Sequence, residues 1–130
     1  MKGIAVLGAT GSVAVNNLEV VARHPDRYRI VALGAHRNVE GLLKQIEQFR
    51  PALAALTDPA AAQVLATRLK ALGLPTQVLT GPESLETLAT LPEVDQVMAA
   101  VVGAAGLRST LAAAQAGKRL LLANKESLVM

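Results

Sequence analysis

Gly3-Ile4-Ala5-Val6-Leu7-Gly8-Ala9-Thr10-Gly11-Ser12-Val13-Ala14 is the stretch whose reading decides the fold. A short apolar run reads as a buried strand and breaks at once into Gly-x-x-Gly-x-x-Ala. From Val13 onward, Leu18, Val21 and Ala22 recur on one helical face, so the order is strand, tight turn, helix. Gly8 permits the tight turn, and Gly11 keeps a Cβ out of the way of anything approaching the backbone. The N–H groups from Thr10 to Val13 open the helix and are expected to be free to face an anion, aided by the helix dipole. The hydroxyls of Thr10 and Ser12 add further donors. A pair of glycines alone reads equally well as an ordinary turn. Its place at the opening of a strand–helix–strand unit is what favours a bound diphosphate.

Outward from this turn, two kinds of segment alternate. Strand-like runs occur at Gly3 to Leu7, Tyr28 to Gly34, Ala52 to Thr57, Thr76 to Leu79, Asp95 to Ala100 and Arg119 to Leu122. Between them, Leu42, Leu43, Ile46 and Phe49 share a helical face, as do Val64, Leu65, Leu69 and Leu72. Leu85 and Leu88 mark a short fourth helix, and Leu107, Leu111 and Ala114 a fifth. Asp58-Pro59 is a helix start, Gly73 and Gly117 follow helices, and Pro51, Pro75 and Pro92 fall in connections. Alternation with short loops predicts parallel strands joined by right-handed crossovers. The expected fold is α/β: a Rossmann-type, doubly wound parallel sheet of about six strands with helices on both faces. No repeat, low-complexity tract or linker divides residues 1–130, so they read as one domain.

Composition narrows the function. The chain has 130 residues, 52% hydrophobic and 2% aromatic, with no cysteine and a net charge of +3. The core must be aliphatic and close-packed. Zero cysteines exclude disulfides and thiolate metal sites and suit a reducing cytoplasm, where the protein is expected to reside. The positive charges are scattered, and Tyr28 and Phe49 offer no stacking platform, so nucleic acid is not an expected partner. No apolar run approaches the ~20 residues that span a bilayer.

The second strand should end beside an adenosine ribose, where NAD sites usually place a carboxylate. Here it runs into Gly34-Ala35-His36-Arg37-Asn38, with no acidic residue before Glu40. Arg37 supplies a fixed positive charge, and His36 and Asn38 supply donors. This trio predicts a 2′-phosphate, and hence NADPH over NADH.

The most specific stretch follows the last strand: Ala123-Asn124-Lys125-Glu126-Ser127-Leu128-Val129. Three polar groups in a row stand at the carboxyl end of a buried strand, the edge where such sheets bind ligands. Taken singly, Lys125 and Glu126 could be a surface ion pair and Asn124 a helix cap. Together with Val94-Asp95-Gln96-Val97-Met98-Ala99-Ala100-Val101-Val102-Gly103-Ala104-Ala105-Gly106-Leu107 and the opening turn, this stretch resembles the 1-deoxy-D-xylulose 5-phosphate reductoisomerase family. The likeness runs in register along the whole chain.

That resemblance implies an enzyme that rearranges 1-deoxy-D-xylulose 5-phosphate and reduces the product with NADPH to 2-C-methyl-D-erythritol 4-phosphate, in the non-mevalonate route to isoprenoids. It implies that Gly8, Thr10, Gly11, Ser12 and Val13 hold the diphosphate and that His36, Arg37 and Asn38 meet the 2′-phosphate. Asn124 and Glu126 would approach the nicotinamide, and Lys125 the substrate. It further implies a Mg2+ or Mn2+ ion and a homodimer, both built mainly from catalytic and carboxy-terminal domains beyond these residues. The fragment alone is then expected to bind cofactor without turnover. Three departures from the family pattern bear on affinity: Ala14, Asn16-Asn17 and His36. A semialdehyde-dehydrogenase-type cofactor domain and a non-catalytic NADP sensor are the alternatives; neither accounts for Asn124-Lys125-Glu126.

Overall fold

The computed structural model describes residues 2–81, 83–99 and 111–122. Six parallel strands form one sheet: β1 (Lys2–Leu7), β2 (Tyr28–Ala35), β3 (Leu53–Leu56), β4 (Gln77–Thr80), β5 (Gln96–Ala99) and β6 (Arg119–Leu122). Helices α1 (Ser12–Ala22), α2 (Val39–Phe49), α3 (Pro59–Leu72) and α4 (Ser84–Ala89) join them, and residues 111–115 are also helical. The Rossmann-type expectation holds.

The strand order is β4-β3-β2-β1-β5-β6. The chain steps outward from β1 through three strands, then returns past β1 to place β5 and β6 on its other side. Right-handed crossovers in opposite directions put helices on opposite faces, and the core divides accordingly. One cluster joins Leu18 and Val21 of α1, Leu42 and Ile46 of α2, and Leu65 and Leu69 of α3 to Ile4, Val6, Leu33 and Leu56. The other joins Leu85 and Leu88 of α4 and Ala113 to Ala5, Leu7, Val31 and Val97. Neighbouring strands β1 and β5 feed connections that leave in opposite directions, which opens a crevice outside their carboxyl ends.

The helix faces differ in detail from the periodicity. In α1, Ala14 is fully buried and Ala22 is exposed. In α3, Ala61 and Ala62 are buried, whereas Val64 and Leu72 are about half exposed. Small alanines let a helix lie close to the sheet, and this sets which face turns inward. Leu111 and Ala114 are likewise exposed, with Ala113 buried between them. Asp58 occupies the N-cap of α3 before Pro59 as expected, without a side-chain cap bond, and Gly73 closes that helix in the left-handed conformation. The expected third strand runs one residue beyond β3 at each end, and the expected fourth is offset by one residue from β4; Thr76 precedes β4, its hydroxyl donating to the Pro51 carbonyl at 2.7 Å.

A β-bulge interrupts the β1–β2 register: Ile4 pairs with Ile30, but Ala5 pairs with Ala32. Consequently Val31 and Ala32 both face the α4 side, where strict alternation would separate them.

Candidate functional site

The opening turn leaves β1 at Gly8, whose φ of 81° is the left-handed conformation that glycine adopts without strain. The turn is bolted to the end of β2. The Gly8 and Ala9 N–H groups both donate to the Gly34 carbonyl, at 2.8 and 2.9 Å. The Gly11 N–H bends back to the Gly8 carbonyl at 3.1 Å. That bond corrects one expectation: Gly11 spends its N–H closing the turn, so the donors left for an anion are those of Thr10, Ser12 and Val13.

Helix α1 then begins at Ser12. Its N-cap, Gly11, makes no side-chain cap bond, and its first turn holds no acidic residue. The opening N–H groups of a helix have no carbonyl inside it to reach. A Cβ at Gly11 would meet only the Gly8 carbonyl oxygen, at 3.4 Å. The protein's own packing therefore does not demand glycine there, whereas an anion resting on the backbone would. The side chains of Ser12, Val13 and Asn17 lie outside what the structure describes.

The second half of the site adjoins the first because β1 and β2 are neighbours, with Leu7 opposite Gly34. His36, Arg37 and Asn38 follow β2 directly and are all exposed. The His36 ring Nδ1 lies 2.7 Å from the Thr57 hydroxyl at the end of β3, which anchors the imidazole. Asn38 caps α2: its Oδ1 accepts from the Gly41 N–H at 3.0 Å, leaving its amide NH2 as the donor end. Glu40, the first carboxylate after β2, is held by Arg68 of α3. Among the described residues Arg37 has no ion-pair partner. Asp58 also lies at this edge, its N–H donating to the His36 carbonyl at 3.0 Å, and Arg37 is the positive charge here that is open to a ligand, as a 2′-phosphate requires.

Two residues that sequence reasoning passed over knit these halves together. A Cβ at Gly41 would lie 2.8 Å from Asn38 Nδ2 and 3.1 Å from Thr10 Cγ2, so α2 approaches the turn as closely as glycine allows. One helical turn later, the Gln45 amide donates to the Ala9 carbonyl at 2.7 Å. The available signal was a glutamine on an otherwise apolar face, between Leu42 and Phe49.

Asn124, Lys125 and Glu126 lie outside the described residues. Among the described residues no group of three or more His, Asp or Glu could hold a metal ion, and no helix is long and apolar enough to cross a membrane. A groove of about 700 Å³ beside α4 is lined by Glu83 and Glu86. Its carboxylates would repel a dinucleotide's phosphates, so it is not a competing cofactor site.

Residues 4–130 match the family model described as 1-deoxy-D-xylulose 5-phosphate reductoisomerase. The chain belongs to that family. It is similar to the 1-deoxy-D-xylulose 5-phosphate reductoisomerases of Methylococcus capsulatus, at 61% identity over 131 residues, and Nitrosospira multiformis, at 54% over 130. Each match covers 100% of this chain and 33% of the relative, so the chain spans about a third of the length of the curated relatives it matches. Among solved structures it is similar to a DOX-P reductoisomerase in complex with NADPH, fosmidomycin and magnesium, with a TM-score of 0.90 and 48% identity over 100% of this chain and 32% of that one. The Zymomonas mobilis reductoisomerase in complex with NADPH gives a TM-score of 0.88 and 39% identity, over 98% of this chain and 33% of that one. Membership of the reductoisomerase family removes the semialdehyde-dehydrogenase alternative.

Proposed function

We propose that this reductoisomerase-family chain is the NADPH-binding domain of an enzyme that isomerises and reduces 1-deoxy-D-xylulose 5-phosphate to 2-C-methyl-D-erythritol 4-phosphate. One observation carries the reading. An uncapped helix N-terminus and an exposed Arg37 stand at the carboxyl edge of the neighbouring strands β1 and β2, and Glu40, the first carboxylate after β2, is paired with Arg68. A ligand with a diphosphate at one point and a 2′-phosphate at another matches both features.

On this reading the main-chain N–H groups of Thr10, Ser12 and Val13 hold the diphosphate, with Gly8 and Gly11 shaping the turn. Arg37 pairs with the 2′-phosphate, His36 and Asn38 donate beside it, and Thr57 fixes the imidazole. Bound NADPH supplies the hydride. Asn124 and Glu126 are assigned to the nicotinamide end, and Lys125 to a substrate oxygen where its charge stabilises developing oxyanion character. We assign the Mg2+ or Mn2+ ion, most substrate contacts and a homodimer interface to the further two thirds of the family's length. A cytoplasmic location fits the absence of cysteine.

Titration calorimetry with NADPH and NADH tests the proposal. Saturable binding of both is expected, NADPH tighter by roughly 10-fold or more, the worth of one charge-assisted contact. Equal affinity would remove the 2′-phosphate site, and no heat with either would remove the cofactor reading.

A further inference from the structure

This inference rests on the cofactor reading and adds a residue to it. Gln45 is only 9% exposed on the sheet-facing side of α2. Its Nε2 donates to the Ala9 carbonyl at 2.7 Å, while its Oε1 is buried and has no hydrogen-bond partner among the described residues. A leucine or methionine would fill the same space without desolvating an amide. Buried polar groups left half satisfied call for an explanation, and functional sites are where local packing rules are commonly broken.

The target of the bond supplies the explanation. The Ala9 carbonyl belongs to the peptide unit whose other end is the Thr10 N–H. The chain holds no cis peptide among the described residues. In a planar trans unit the C=O and N–H point in opposite directions. Drawing the carbonyl toward the buried amide therefore turns the Thr10 N–H away from the core. The rest of the turn is set by backbone bonds: Gly8 and Ala9 to Gly34, and Gly11 to Gly8. Among the described residues, the side chain of Gln45 alone fixes the carbonyl of the Ala9–Thr10 peptide. We infer that Gln45 is a positioning residue for the diphosphate, setting the orientation of that peptide so that the Thr10 N–H faces the cofactor.

Without the amide, this peptide is free to rotate, and only the competent fraction binds. Gln45→Met keeps the length and apolar bulk but cannot donate. In the full-length protein it should weaken NADPH and NADH alike by about 10-fold, matching a competent fraction of about a tenth. The NADPH:NADH ratio should stay at the wild-type value, and KM for NADPH should rise with kcat unchanged. A variant with lower Tm but unaltered NADPH affinity would show a structural role only. A changed cofactor ratio would place the effect at the Asn38 loop; either result overturns the inference. Wild-type protein that binds no NADPH would instead sink the cofactor reading. Should Gln45→Met fail to fold, NMR of the wild type decides. Scalar coupling between Gln45 Nε2 and the Ala9 carbonyl carbon, with a Thr10 amide resonance that moves on adding NADPH, is expected. Absent coupling or an unmoved Thr10 amide overturns it.

Discussion

Replacing Arg37 with glutamate should weaken NADPH binding by roughly 100-fold while leaving NADH nearly unchanged. Arg37 is exposed and has no ion-pair partner among the described residues, so its charge is available to a ligand. Hydrogen bonds to charged groups contribute about 1.5–3 kcal/mol, which is roughly 10- to 150-fold in affinity. The substitution also sets a carboxylate against the 2′-phosphate, adding repulsion where there was attraction. NADH carries a hydroxyl at that position and loses almost nothing. Calorimetry with both cofactors at one low ionic strength reads the difference, since salt screens an exposed pair. Equal losses would mean that Arg37 does not meet the 2′-phosphate.

The second large effect concerns stability. Gly3→Val should destabilise the fold by about 3 kcal/mol, combining overpacking with weakened hydrogen bonds. A Cβ at Gly3 would stand 2.2 Å from the Glu93 carbonyl oxygen and 2.9 Å from Val31 Cγ2. The first of these is backbone and cannot swing aside. Gly3 also ties β1 to the start of β5: its N–H donates to Asp95 Oδ2 at 2.9 Å, and its carbonyl accepts from the Asp95 N–H at 2.8 Å. A strand displaced to admit the valine loses both. Urea unfolding followed by circular dichroism measures the change. A midpoint matching wild type would show that the neck between β1 and β5 has slack that the packing does not suggest.

Gly3 also marks where sequence reading stops. Its role depends on Glu93, which is remote along the chain and comes near only when β5 returns beside β1. The alternation of apolar strands and helices was legible because each element carries its own period, and Gly8 and Asp58-Pro59 announced a turn and a helix start through local chemistry. Which alanines turn inward was not legible. Ala14, Ala61 and Ala62 take core positions, while Val64 and Leu72 stay largely outside, because close approach to the sheet favours small side chains over hydrophobic ones. The outward placement of β4 and the bulge at Val31–Ala32 depend on pairing with distant strands, which no local window contains.

The candidate site divides in the same way. The opening glycine turn and the exposed His36-Arg37-Asn38 loop were readable from residue type and place. Their joining was not, since it runs through Gly41 and Gln45, whose significance appears only when α2 lies against Thr10 and Ala9. Charge at this edge is likewise set in three dimensions, where Asp58 reaches His36 through a backbone bond. The sequence placed Glu40 two residues beyond Asn38, and only the fold shows it held by Arg68. Ala14, a departure from the family pattern, is fully buried against the sheet as part of the larger core cluster.

A crystal structure of the full-length protein with NADPH is the most direct test. The account predicts diphosphate oxygens within about 3 Å of the Thr10, Ser12 and Val13 nitrogens, the usual charge-assisted range, with the 2′-phosphate against Arg37. A cofactor bound elsewhere, or lying at this edge with its diphosphate turned away from α1, would contradict it.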